Sequence, residues 1–540
     1  MEAEFLFKSP CSLGLLMLSP QPSYLSPDER DQEIFRATVP ENHYLRRVKQ
    51  VIDFERLRPV LADAYCDDQG RPAIEPVLLL KLEFLQYHYN HSDRQVIEHA
   101  RSNMAYRYFL DLSLHSSLPH HTLLTYFRQR LGVERHQQVF DAVVGQAREK
   151  GLVKDRLRLK DATHVIANIA IPTTIRLVAQ TRERLLRALE PLAAEAIDRQ
   201  RQRADEIRES SVDLSGEERL LHRVVHLREL VAWARLVCDG GQFAAALPRQ
   251  QQELQQALAL ACKVLDDRDE DAGKNQLRSV QDPDARCAKH GSYYTGYLLD
   301  LSLDADSQII TAMNVLPGGA NEGADAETLL RREEQAHGND VEAVSMDAAG
   351  FQGEVLRRLT DPAGLQVEVF VPPKEPTCSG EFQPERFTLS ADQRTLTCPA
   401  GQTATERHRY EAQKGWQFRF ARATCAACPL RSTCVPKLPK TSGRTVFKSD
   451  YEKEIQAARA KAQTPEYDRV RSEHPSVERK IGELVRRHGA RRARYWGQPR
   501  VLLQQLLTGL VVNAKRVVRL LMDPSESSGG IVRAAAEATG

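Results

Sequence analysis

The sequence predicts a mixed α/β (α+β) protein, on three observations. A strand-like alternation at residues 156–166 is followed, after a long helical stretch, by four more strand signals between residues 297 and 371. A helical pattern at residues 325–337 lies among those strands, and helical texture flanks the whole set on both sides. Strands interleaved with helices bury their faces against one another, which is the α/β or α+β solution.

Residues 1–150 read as a helical domain. Pro76 opens the apolar run Val77 to Leu85, with proline at a first-turn position that needs no N–H donor. Ser92 and Gln95 form a capping box, each able to satisfy a free backbone N–H of the other. A helix from about Thr122 to Leu131 follows Pro119 and stops at Gly132. With the turn-rich segment 113–121 before it, this part admits two readings. One is a DNA-reading helix-turn-helix presenting Arg128 and Arg130, and the other is an ordinary bundle with a basic outer face.

The first strand places Leu157, Leu159 and Asp161 on one face and Arg158 and Lys160 on the other. Residues 175–275 are then rich in Arg, Glu, Gln, Leu and Ala, with Leu185, Leu186, Leu189 and Leu192 at helical spacing. They predict an antiparallel helical hairpin inserted between strands. Strands resume at 297–303 and 309–315, joined by the turn residues Asp304 to Ser307, and again at 341–346 and 365–371. The core is therefore expected from residues 151–174, 276–375 and 441–522. A loop-rich, cysteine-bearing insertion is expected over 376–440, and a disordered Ser/Gly/Ala tail over 523–540.

Net charge is only +2, but its distribution is uneven. Residues 441–522 carry 18 Lys+Arg against 8 Asp+Glu, so the remainder sums to −8. A basic block on an acidic chain points to a polyanion, with a solvated basic helix as the plainer alternative. A membrane span is not expected, because no stretch approaches the ~20 uninterrupted apolar residues required. The closest, Val501 to Met522, is broken by Gln504, Gln505, Asn513, Lys515, Arg516 and Arg519, and the N-terminal Phe5 to Leu18 makes a poor signal peptide.

Ten cysteines in 540 residues are too sparse for a disulfide framework, yet five fall within residues 376–440. Cys425 and Cys428 are two residues apart, with Cys434 after them and Cys398 before. That pattern suits four thiolates around a structural zinc ion, and Cys378 or His408 are alternatives to Cys398. Free thiols or one oxidised pair fit the same residues.

Three carboxylates stand out. Asp161 comes late in its strand, Asp347 ends the strand 341–346 before Ala348-Ala349-Gly350, and Glu478 lies on a basic helix. Taken singly, each has an ordinary explanation, as a turn cap for the aspartates or an ion pair with Arg479 for Glu478. Together they match what phosphoryl transfer needs. Hard divalent cations take carboxylate oxygens, and two of them about 3.5–4 Å apart can activate an attacking oxygen and stabilise a leaving one.

At this point the chain resembles the DDE transposases of bacterial insertion sequences, in the group with an N-terminal helical domain and a cysteine-bearing insert. The resemblance covers most of the chain. Ser92-Asp93-Arg94, Tyr106 to Phe109, and Pro119 through Arg128 resemble the N-terminal domain. Lys160-Asp161-Ala162-Thr163 to Asn168 resembles the first catalytic strand. Asp282 to Arg286 with Gly296-Tyr297 resembles the approach to the second strand, and Asn321 to Asp325 the turn after the third. Asp347 to Phe351 resembles the second catalytic aspartate. Val477-Glu478 through Arg494-Tyr495-Trp496-Gly497 to Arg516 resembles the last catalytic helix and the C-terminal helices. Departures are Ala162 where the family often has Gly, Val485 and Arg486 where a Lys usually sits, and Arg471 and His474 where Tyr and Arg usually precede the glutamate.

The resemblance implies an RNase H-like core and DNA strand cleavage and transfer at element ends. Asp161, Asp347 and Glu478 would hold two Mg²⁺ or Mn²⁺ ions, and Cys398, Cys425, Cys428 and Cys434 a structural Zn²⁺. Arg128, Arg130, Arg479, Lys480, Arg486, Arg487, Arg491, Arg492 and Arg494 are the candidate DNA contacts. Expected partners are double-stranded DNA, both the terminal inverted repeats and the target, and a second copy of the chain in a synaptic homodimer. The expected location is the bacterial cytoplasm, on the nucleoid when DNA is bound. Two other functions fit the same residues: an RNase H-like nuclease that cuts without joining, and a DNA-binding protein with an inert core.

Overall fold

The computed structural model describes residues 26–65, 73–269, 273–374 and 381–522. Phe5 to Leu18, Cys378 and the tail expected at 523–540 lie outside them. The N-terminal helices are α1 (Glu29–Thr38), α2 (Tyr44–Val51), α3 (Arg58–Ala62), α4 (Pro76–His88), α5 (Asp93–Ser102), α6 (Met104–Phe109) and α7 (Thr122–Glu149). Helix α4 is buried on all sides from Pro76 to Tyr87, which explains its unbroken apolar run. The Ser92–Gln95 box caps α5 as its spacing predicts. Gly132 interrupts α7 at φ 64°, a left-handed value that glycine tolerates, and the helix restarts beyond it.

The main sheet holds β1 (Arg158–Ile166), β2 (Arg286–His290), β3 (Ser292–Asp304), β4 (Ile310–Pro317), β5 (Ala343–Ser345) and β6 (Glu368–Phe370). Its central order is β4-β3-β1-β5-β6. β3 is antiparallel to β1 and β4, β1, β5 and β6 run parallel, and β2 extends the pairing at the start of β3. This mixed order fits the RNase H-like core that the resemblance implies. The β3–β4 turn forms as its residues predict, with the Asp304 carboxylate accepting from the Ser307 N–H and hydroxyl, both at 2.7 Å. Gly296 is needed where β3 crosses the end of β1, because a Cβ there would come within 2.0 Å of the Val165 carbonyl oxygen.

Between β1 and β2 lie α8 (Thr174–Ser210), α9 (Gly216–Cys238), the short α10 (Gly241–Ala244) and α11 (Pro248–Asp269). The expected two-helix hairpin is thus a set of three long helices, whose apolar faces form a core of their own around Leu185, Leu189, Leu227, Leu254 and Ala261. α12 (Ala326–His337) and α13 (Gly353–Thr360) follow β4 and β5.

The cysteine-bearing segment is more ordered than its loop-rich composition suggests. Strands β7 (Thr388–Leu389), β8 (Leu396–Thr397) and β9 (Thr403–Ala404) form one small sheet. β10 (Glu406–Tyr410), β11 (Gly415–Arg419) and β12 (Thr445–Ser449) form another. Phe387, Leu396, Phe418, Phe420 and Val446 supply an apolar core. β12, placed in the main core by sequence, instead pairs with β11. Two short helices there, α14 (Arg422–Ala426) and α15 (Arg431–Cys434), precede α16 (Glu452–Lys461), α17 (Pro465–Glu473), α18 (Pro475–Arg487) and α19 (Gln498–Met522).

Helix α19 is long and apolar enough to cross a membrane by composition alone, but it is buried inside the fold. It packs against α2, α4, α7 and β4. One apolar cluster therefore runs continuously from α4 and α7 through α19 to β1, β3 and β4, so the segment boundary expected near residue 150 is not a break in the core. On the other side of β1, the buried Arg158 pairs with Glu333 of α12 at 2.5 Å and Asp304 at 3.1 Å, and Arg148 of α7 pairs with the same Glu333 at 2.9 Å. Charges this deeply buried persist only when paired.

Candidate active site

β1 and β5 pair only at Arg158–Val344 and Leu159–Ser345. Beyond that the parallel strands part, and each carries an aspartate just past the split, Asp161 on β1 and Asp347 after β5. The carboxyl ends of parallel strands are where an open α/β sheet leaves room for a ligand. Asp161 Oδ1 accepts from the Ala162 N–H at 2.7 Å, and Asp347 Oδ1 accepts from the Ala349 N–H at 3.1 Å, capping the turn Ala348–Gly350. In each carboxylate the other oxygen makes no hydrogen bond among the described residues.

Glu478 occupies the first turn of α18, a favourable place for a negative charge. α18 lies across β1, with Val477 and Ile481 in the same apolar cluster as Leu159 and Val165. The chain after α18 then returns along the end of β1, where the Ile166 N–H donates to the Arg491 carbonyl at 2.8 Å and the Ala493 N–H to the Ile166 carbonyl at 2.9 Å. Glu478 is exposed and has no ion pair among the described residues. The two glutamates nearest to it in sequence are committed elsewhere, Glu473 to Arg156 at 2.7 Å, and Glu483 to Lys480 and Lys515, each at 3.2 Å.

The three carboxylates share one electrostatic neighbourhood. Burial pushes Asp161 up from 3.8 to about 6, and the negative charges of Asp347 and Glu478 push the same way against the pull of the Ala162 N–H and Lys160. Arg471 of α17 faces all three acids. Its guanidinium donates to the Met346 carbonyl at 2.7 Å and the Ser345 hydroxyl at 3.1 Å, tying α17 to the residues just before Asp347. Ser345 is also within 3.1 Å of His474 Nδ1. Burial and the neighbouring Arg471 lower His474 to about 4, so it is neutral near pH 7. Sequence marks Arg471 only as a residue at an unusual offset from Glu478; its contact with the Met346 main chain has no signature in the chain.

Among the described residues, no group of three or more His, Cys, Asp or Glu side chains stands ready to hold a metal ion. The carboxylates are close enough to feel one another but do not form a closed cage. The same holds for Cys398, Cys425, Cys428 and Cys434, which line one cavity of about 20 Å³. Burial raises the Cys434 thiol, with the other three thiols adding to the rise and Arg444 opposing it. His408 sits on β10, edge-on to Tyr410.

Of the candidate DNA contacts, Arg130, Arg479, Arg486, Arg487 and Arg492 are exposed, and Arg491 and Arg494 are partly covered. Two are turned inward. Arg128 is buried against Asp93 and Glu83, and Lys480 is buried against Glu483. Neither presents a free cation at the surface, because helical spacing places both on faces that pack.

Comparison with protein families gives two matches. Residues 33–130 match a family described as a transposase domain (DUF772), and residues 397–518 match one described as a transposase DDE domain. The second match takes in the four thiols and Glu478, while the strands carrying Asp161 and Asp347 lie before it. No curated protein and no solved structure matches the chain significantly.

Proposed function

We propose that this chain, whose two family matches are both to transposase domains, is a DDE-type transposase of insertion sequences that cuts DNA at element ends and joins those ends to target DNA, with Asp161, Asp347 and Glu478 as its reacting-centre carboxylates. The observation that carries this reading is the placement of Asp161 and Asp347 just past the parting of β1 and β5, with Glu478 in the first turn of α18, which packs on β1. Three such carboxylates outnumber Arg471, the guanidinium that faces them, and a cluster of hard oxygen donors suits divalent cations. Two Mg²⁺ or Mn²⁺ ions would supply Lewis-acid activation of the attacking oxygen and stabilisation of the leaving one.

The protein's own part is positioning. β1 and β5 fix the two aspartates at the parting of parallel strands, and Arg471 holds the Asp347 turn against the helices that carry Glu478. Arg479, Arg486 and Arg487, exposed on α18, would take DNA phosphates beside the acids, giving binding that weakens steeply with salt. The four clustered thiols would hold a structural Zn²⁺ that rigidifies the two small sheets. Two copies, one at each element end, would make the synapse.

The test uses purified full-length protein, Mg²⁺, and a plasmid carrying the DNA that flanks its gene, with target DNA added. Cleaved ends and joined product are expected. Asp161→Asn or Asp347→Asn should slow cleavage about 10³-fold, roughly 4 kcal/mol of barrier. Cleavage without joining would leave a nuclease, and near-normal cleavage by either variant would overturn the carboxylate assignment.

A further inference from the structure

We propose that the cleft between the N-terminal helices and the far end of β1 binds an unpaired stretch of DNA strand beside the cleavage point, an inference that rests on the transposase reading. The cleft has a volume of about 940 Å³ and lies where α4, α5 and α7 meet the end of β1 and the chain after α18. Arg491, Arg492, Arg494 and Arg500 all line it. Its one carboxylate, Asp93, is already paired with Arg128. The cleft is therefore strongly positive, and its ligand is an anion.

Two of these arginines have no internal task. Arg492 and Arg500 are exposed, and their side chains make no ion pair or hydrogen bond among the described residues. Arg494, by contrast, donates to the His91 carbonyl at 3.0 Å and to Asn90, and stacks on Tyr87 at 4.7 Å. It braces the wall that the free pair extends.

The size and the aromatic lining choose the form of the nucleic acid. A volume near the top of the ~300–1,000 Å³ range of small-ligand sites is too small to enclose a duplex. It does have room for a few unpaired nucleotides. Tyr495 lines the wall. Trp496 beside it is 48% exposed, with its indole N–H fixed to the Asn168 carbonyl at 2.9 Å. Trp496 stands next to the cleft wall rather than in it, and a half-exposed indole at the edge of a positive groove is the kind of side chain on which an unpaired base stacks.

Position links this cleft to the carboxylates. Ile166, on its wall, is five residues along β1 from Asp161, roughly 17 Å at ~3.3 Å per residue. Arg491 spans part of that gap, reaching back to the Thr163 hydroxyl at 3.1 Å. A strand leaving the acids would pass Arg491 and enter the cleft.

The experiment titrates the full-length protein, in chelator, with two fluorescent duplexes of equal length, one blunt and one with a four-nucleotide 3′ overhang. The overhang duplex should bind about 10-fold tighter, within the ~1–3 kcal/mol that one stacked base contributes. Arg500→Glu and Trp496→Ala should each erase most of that preference while leaving blunt-duplex affinity within about 3-fold, and unchanged thermal midpoints would show that both variants fold. Equal affinity of the wild type for both duplexes, or parallel loss on both in the variants, overturns the proposal. Cleavage in Mg²⁺, scored alongside, separates the two readings. Cutting without overhang preference discards the cleft alone, and overhang preference without cutting discards the transposase reading and leaves a strand-binding cleft.

Discussion

Replacing Asp161 with asparagine should make the metal-free protein more stable at neutral pH while destroying its activity. The folded protein holds the Asp161 carboxyl at about 6 against an ordinary 3.8, chiefly through burial and then through Asp347 and Glu478. The folded state thus binds this proton more tightly than the unfolded chain. The stability linked to it is complete below about 4 and is lost as pH rises through about 6. About two pH units at ~1.4 kcal/mol each give roughly 3 kcal/mol of strain at pH 8. Asparagine removes that strain, and its Oδ1 can still accept from the Ala162 N–H. Thermal and urea unfolding of wild type and Asp161→Asn, in chelator at pH 5 and pH 8, is the assay. The variant should unfold a few degrees higher at pH 8, with a smaller gap at pH 5. Added Mg²⁺ should then raise the wild type at pH 8 and do little for the variant. A variant less stable than wild type at pH 8, or a gap that does not widen between the two pH values, would refute the claim that Asp161 is strained by buried, crowded charge.

Arg471→Ala should cut strand cleavage and raise the Mg²⁺ concentration needed for half-maximal rate several-fold, because the turn before Asp347 loses its tie to α17; an unchanged Mg²⁺ requirement would make Arg471 merely structural. Glu333→Gln should cost about 3–5 kcal/mol, measured by urea unfolding, because it leaves the buried Arg158 short of its main counter-charge. Burial would raise the Glu333 pKa, but Arg158 pulls it below the ordinary glutamate value. The stability it adds is therefore present above about 4.5 and fades on acidification, and the wild-type–variant gap should narrow at low pH. Purified protein should carry close to one zinc per chain, and Cys425→Ser should lose it and loosen residues 381–449 in hydrogen exchange; full protection without zinc would remove the metal from the account of that module.

Much of this protein is written locally. The Ser92–Gln95 cap, the break at Gly132 and the Asp304–Ser307 turn all formed as short-range chemistry dictates, because each depends on neighbours within a few residues. The sequence also supplied an aspartate or glutamate at 161, 347 and 478, together with the basic block around α18.

Only the tertiary structure decided which charges face one another. Packing turned Arg128 and Lys480 inward, although they look like surface cations in the chain, and left Glu478 without an ion pair among the described residues while Glu473 and Glu483 found partners. β12 joined the cysteine-bearing sheet by pairing with β11, and Arg471 found the Met346 carbonyl 125 residues back along the chain. Burial and long-range pairing depend on the whole apolar core closing at once. No window of sequence records which side chains that closure covers and which it leaves in water.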